Sequence, residues 1–220
     1  AEKGRVHREW STNEKTAMEE ALGMSYAGKR TLVCMKHVGL NVAADPFVNS
    51  AITGVNGGLV VLVADDPQMH SSQNEQDTRY YARFAHIPLL EPSSQQEAYD
   101  MMGYAFDLSE KVKLPVLVRV TTRLAHSRAD LLPTEPRPQN SLSIPENSRQ
   151  FILLPANARE NFKKLLVTEK EITEASNQSI YNSYEEAAGT SKKGIIASGI
   201  AGNYVREVLG GRSSEYEVLY

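Results

Sequence analysis

The chain has 220 residues, 41% of them hydrophobic, with 24 Lys and Arg against 27 Asp and Glu and a net charge of −3. Those values fit a globular protein of one large domain, or one domain and part of another, and lack the concentrated basic face of a nucleic-acid binder. The longest apolar run, Leu59 to Ala64, is far too short to span a bilayer, residues 1–10 have no signal-peptide core, and the single Cys34 excludes an internal disulfide or a multi-cysteine metal site within these residues.

In chain order, Ser11-Thr12-Asn13-Glu14 fits an S-x-x-E capping box opening a helix over 13–27. Ala17, Met18, Ala21, Leu22 and Ser25 then share one face. Glu14 is read in two ways: as a cap on its own helix, or as a carboxylate near a helix start aimed at a cofactor ring, where burial would let it share a proton with a ring nitrogen. Glu9 is a weaker candidate for the same work. Gly23–Arg30 half-matches a phosphate loop, but Arg30 stands where a Ser or Thr would hold magnesium, and the segment ends a helix instead of starting one. Gly28 reads better as a helix C-cap.

Thr31–Met35 follows, rich in Val and Leu and read as a strand buried on both faces, with Cys34 as a core thiol. Lys36, His37 and Asn41 lie in Met35–Pro46, at the carboxyl end of that strand, the place where open α/β sheets bind ligands. His37 and Asn41 are therefore candidate ligand-facing residues, and Asp45 before Pro46 suits an N-cap. Gly54–Gly58 lacks the glycine spacing of a dinucleotide site. The run Leu59–Ala64 is a second buried strand. The polar loop Asp65–Asp77 after it is long for a compact domain, which favours function. His70, Ser71, Ser72 and Gln73 are its candidate substrate-facing residues, and Ser72–Glu75 repeats the S-x-x-E cap ahead of a helix over about 74–85.

Ile87–Leu90 reads as a short strand, 95–112 as a helix with Ala98, Met101, Met102, Ala105, Leu108 and Val112 inward, and Leu114–Val120 as a strand. Arg123 or Arg128 beyond it could bind a carboxylate or phosphate. Four prolines between 133 and 145 mark an extended linker. A polar helix over about 157–175 has Phe162, Leu165 and Leu166 inward, and Gly194–Ser198, Ala201–Leu209 and Tyr216–Tyr220 read as strand, helix and strand. The alternation implies an α/β fold: a doubly wound, mostly parallel sheet over 1–128, a linker with its helix over 129–190, and the start of a second α/β domain over 191–220. Both ends read as cut from a longer protein.

Glu9–Lys15, Met35–Pro46 and Gly58–Arg79 resemble the indolepyruvate ferredoxin oxidoreductase alpha subunit, and Leu114–Arg128, Leu154–Arg159 and Gly194–Tyr204 extend the likeness. The resemblance implies the pyrimidine-binding domain of a thiamine diphosphate enzyme, with its first strand missing. The implied reaction oxidatively decarboxylates indolepyruvate and other arylpyruvates to the aryl-acetyl-CoA and reduces ferredoxin. By position, Glu14 matches the glutamate that meets the cofactor's aminopyrimidine. His37, Asn41 and the His70–Gln73 loop then look cofactor- or substrate-facing. The diphosphate with its magnesium, and the iron–sulfur clusters, are expected outside these residues, which alone should be inactive. A beta subunit and a cytoplasmic setting are implied too. The competing expectations are a related enzyme of another 2-oxoacid, a non-catalytic assembly domain, and a simple phosphate-binding module supported only by Lys36.

Overall fold

The computed structural model describes residues 6–187, 193–210 and 215–220. The expected boundary at 190–191 lies outside them. Helix α1 (Glu14–Tyr26) leads to β1 (Thr31–Lys36), two short helices α2 (His37–Val42) and α3 (Ala44–Thr53), and β2 (Leu59–Asp65). Then come α4 (Arg79–Ala85), β3 (Leu89–Leu90), α5 (Gln95–Val112), β4 (Val116–Thr121) and α6 (Thr122–His126). A 3-10 turn (Ser148–Phe151) precedes α7 (Pro155–Asn177), β5 (Tyr184–Glu185), β6 (Gly194–Ile196), α8 (Ile200–Leu209) and β7 (Glu217–Leu219). No helix among the described residues is long and apolar enough to cross a membrane.

The main sheet has the order β1-β2-β4-β3, every pair parallel. Its carboxyl ends therefore share one edge, where Lys36, Asp65 and Thr121 end their strands. β2 and β4 are central and covered on both faces, so Leu59–Val61 and Val116–Val118 are apolar without alternation and fully buried. α1 carries Met18 and Leu22, and α3 carries Phe47 and Ala51, into this core. At about 1.5–3 kcal/mol for each large side chain buried, these contacts dominate the stability of the domain.

β1 departs from the expectation of burial on both faces. It sits at the sheet edge, where Thr31, Val33 and Met35 face the α1 side while Leu32, Cys34 and Lys36 are exposed. Cys34 is thus not a core thiol. Its strand neighbours still desolvate it enough to push the thiol pKa up.

The capping boxes also fail. Asn13, in extended conformation, is the N-cap of α1 and accepts the Thr16 N–H at 3.0 Å, while the Ser11 hydroxyl donates to Glu20. Glu14, first in the helix, is left free of capping. Ser72 and Glu75 do not open α4 either: that helix starts at Arg79, and Glu75 accepts the Gln68 N–H. Asp45 lies inside the first turn of α3, whose N-cap is Ala43. Gly28 does fall just past the end of α1, with a φ of +91°.

Residues 131–143 form a strap along α5. The Gln96 side-chain amide pairs with both backbone groups of Leu132, Arg137 meets Asp107, and Asn140 donates to Glu110. Arg30 grips Glu110 from the other side with two hydrogen bonds, at 2.8 and 2.9 Å. Phe151 stacks on Tyr26, and α7 packs back on α3 through Leu165; Phe162 and Leu166, expected inward, are about two-fifths exposed. The last segment forms a second sheet, β5-β7-β6, with β5 antiparallel to β7 and β6 parallel to it. It docks on the first through Asn203, which donates to the Ser93 carbonyl, and through Ser198, which donates to Glu91.

Candidate active site at the carboxyl edge of the sheet

Because α1 packs against β1, its first residue is brought to the carboxyl end of that strand. There the Glu14 side chain is half-buried and lies against Gly39 of α2: a Cβ placed on Gly39 would come within 2.6 Å of Glu14 Cγ and 2.7 Å of Oε1. Among the described residues the Glu14 carboxyl group has no hydrogen-bond or ion-pair partner. A half-buried carboxyl group without a partner at a sheet edge is free to take a polar ligand atom.

The other candidates surround it in different ways. His37 is fully buried. Its Nδ1 lies 3.3 Å from the Ala64 carbonyl and its Nε2 3.1 Å from the Asn74 carbonyl. Whichever nitrogen carries the proton, the ring bridges the end of β2 and the loop beyond it. Asn41 is exposed and accepts the Tyr81 hydroxyl at 2.6 Å, tying α2 to α4. One short helix thus holds the loop, the glutamate and α4 through His37, Gly39 and Asn41.

The loop after β2 is organised by Asp66, which sequence reasoning placed in the segment without assigning it a role. Its carboxylate accepts the Thr122 hydroxyl at 2.6 Å, the Ser71 N–H at 2.8 Å and the His70 N–H at 3.2 Å. These bonds, that from Thr122 foremost, hold the Asp66 carboxyl far below the usual carboxylate range. The chain reverses at Gln68 and Met69, both with positive φ (66° and 53°), an unfavourable conformation for side chains of this size. His70 and Ser71 therefore serve through their backbone, and their side chains are exposed, as is Gln73. The Ser72 hydroxyl faces Asp66 closely enough to add to its acidity, yet no group meets it with hydrogen-bond geometry.

Beneath the loop runs an ion network that sequence reasoning missed. Arg119, inside β4, donates to Asp65 at 2.6 Å and to Glu91. Arg79 pairs with Asp77 at 2.7 Å and lies 3.8 Å from Glu91. Asp65 also accepts the Thr78 N–H, so the network fixes both ends of the loop. The signal available was Arg119 itself: a guanidinium in an apolar strand demands buried carboxylates. Arg123, one of the two arginines considered as anion ligands, instead lies over the Tyr204 ring. Arg128 and Lys36 are exposed. An apolar recess of about 660 Å³ between α3, α4 and α7, walled by Val48, Ile52, Phe84 and Phe162, does not include Glu14. Among the described residues no three His, Cys, Asp or Glu side chains gather as a metal site.

A family pattern described as pyruvate flavodoxin/ferredoxin oxidoreductase, thiamine diphosphate-binding, matches residues 2–191. The chain belongs to this family. Curated relatives include the indolepyruvate oxidoreductase subunit IorA of Pyrococcus abyssi, 49% identical over 215 residues, and that of Methanothermobacter thermautotrophicus, 44% identical over 220. The matches take in 95% and 100% of this chain but 33% and 36% of those proteins, so the chain spans about a third of their length. Among solved structures, the 2-oxoglutarate:ferredoxin oxidoreductase of Magnetococcus marinus shares the fold, with a TM-score of 0.68 at 16% identity over 96% of this chain and 44% of that one. The group implied by membership of the thiamine diphosphate-binding family fits what this edge offers. A carboxyl group with no partner among the described residues can meet a ring nitrogen, and Glu14 is such a group at this edge.

Proposed function

We propose that these residues form the pyrimidine-binding part of a thiamine diphosphate-dependent oxidoreductase acting on indolepyruvate and other arylpyruvates. The whole enzyme would release CO2, form the aryl-acetyl-CoA and reduce ferredoxin, together with a second subunit and in the cytoplasm. The names of the relatives support the substrate class, and the single observation that carries the site is the half-buried Glu14 carboxyl group at the sheet edge, held against Gly39 with no partner among the described residues.

In this reading Glu14 Oε1 or Oε2 holds a proton shared with the pyrimidine ring nitrogen. Thiamine diphosphate supplies, when bound, a carbon nucleophile and an electron sink for decarboxylation. The chain's remaining residues position the loop beside this edge. His37 fixes the loop by its Asn74 carbonyl, and Asp66 folds the loop so that the His70, Ser71 and Gln73 side chains stand outward toward an incoming 2-oxoacid. The Ser72 hydroxyl is buried and turned toward Asp66, so it supports the loop and does not stand outward. In this reading the diphosphate with its magnesium ion, and the iron–sulfur clusters that accept electrons, fall to other parts of the enzyme.

The test is Glu14→Gln in the full-length enzyme. The amide keeps the shape and removes the exchangeable acid. Thiamine-dependent arylpyruvate oxidation should fall by about two to four powers of ten, the usual worth of a positioned acid–base group, with the thermal midpoint unchanged. Wild-type turnover in that variant would remove Glu14 from the chemistry.

A further inference from the structure

We propose that Gly39 is the positioning residue of Glu14: the absence of a side chain at that point of α2 lets the carboxyl group rest at the end of β1. The inference rests on the reading of Glu14 given above, but the geometry behind it does not. Gly39 is buried inside a helix of 6 residues, and its φ is not among the positive ones. The backbone there has no need of glycine, and alanine is the better helix former. What a methyl group would meet first is Glu14: the three nearest atoms to a Cβ on Gly39 would be Glu14 Cγ, Oε1 and Cδ, at 2.6, 2.7 and 2.9 Å. At Gly28, Gly54 and Gly57 the obstructing atoms belong to backbone, and at Gly103 to the far end of the Arg137 side chain, whereas at Gly39 they begin at the Cγ of a carboxylate side chain.

α2 cannot retreat to make room. His37, two residues earlier, lies between the Ala64 and Asn74 carbonyls, and Asn41, two residues later, is held by Tyr81. A methyl group on residue 39 is therefore relieved by Glu14, whose Cγ swings to another rotamer and carries the carboxyl group off the sheet edge. Gly39 thus acts through Glu14, setting where the proton is held.

The test is a double-mutant cycle on the thermal midpoint, joined to cofactor affinity and turnover of the full-length enzyme. Gly23→Ala serves as control, because Gly23 lies within α1 with nothing within 4 Å of its Cβ position. It should raise the midpoint by helix propensity alone. Gly39→Ala should fail to raise it while Glu14 is present, and should raise it in a Glu14→Ala background, where the obstructing atoms are gone. In the holoenzyme Gly39→Ala should weaken thiamine diphosphate binding, measured by titration calorimetry, and lower kcat at least tenfold without a matching rise in KM for the 2-oxoacid. An identical midpoint change in both backgrounds would overturn the proposal. So would wild-type affinity and turnover in Gly39→Ala beside an inactive Glu14→Gln. Turnover surviving in Glu14→Gln sinks the functional reading instead, and the midpoint cycle separates the two.

Discussion

Asp66 shows how one side chain can shape a loop. It gathers two backbone N–H groups and the Thr122 hydroxyl, and these keep it ionised well below the usual carboxylate range. A folded pKa lowered in this way adds stability that is whole above the unfolded value, about pH 4, and is lost only as the pH falls through the folded value. The His70 and Ser71 amides should therefore keep their protection against hydrogen exchange from neutral pH down to about pH 4. Asp66→Ala should abolish that protection at pH 7 while the sheet amides stay slow; slow exchange at both amides in the variant would show that other contacts hold the loop. Length and polarity make this segment a candidate active-site loop in the sequence. It could not show that His70 and Ser71 would act by backbone, because which acceptor lies beneath a loop depends on where β4 and α6 come to rest.

Elements differ in how plainly they can be read. α5 was legible over its whole span, 95–112, since an 18-residue amphipathic helix imposes its period whatever surrounds it. α2 was not: it has 6 residues, a glycine in the middle and no side-chain cap, so no local pattern announces it. β1 was found, but its exposed face was missed, because edge or centre is a property of the sheet. The strap over 131–143 reads in sequence as an extended linker and is held by side chains of α5. Glu110 is its anchor, drawn down to about 2 chiefly by the Arg30 guanidinium and further by Asn140. The sign is that of a depressed carboxylate, so the anchor is intact above about pH 4.5 and fails as the pH falls toward 2. Glu110→Gln should cost about 1–2 kcal/mol, a charge-assisted pair discounted for partial exposure, and should speed proteolysis within 131–143. Unchanged cleavage there would mean the strap is held by its other contacts.

At the scale of the molecule, Arg119 ties the units together. It joins Asp65 of β2 to Glu91 after β3, and Glu91 in turn takes the Ser198 hydroxyl and lies where a Cβ on Gly199 would stand. Asp65 and Arg119 are almost wholly buried, so Arg119→Met would leave Asp65 without its ion pair and Glu91 with only the more distant Arg79. The expected loss is about 3–5 kcal/mol in chemical denaturation, with faster hydrogen exchange over α8; a loss below 1 kcal/mol would show that the network is not what couples the second sheet to the first. By itself the sequence determined the strand–helix alternation, the parallel sheet and the motifs that mark its carboxyl edge, because each rests on local periodicity or on residues adjacent in the chain. Only the tertiary structure decided which polar residues at that edge meet one another. Glu14 reaches Gly39, and Arg119 reaches Asp65 and Glu91, across contacts between elements far apart in sequence, and such partners exist only once the sheet has brought its strand ends into one row.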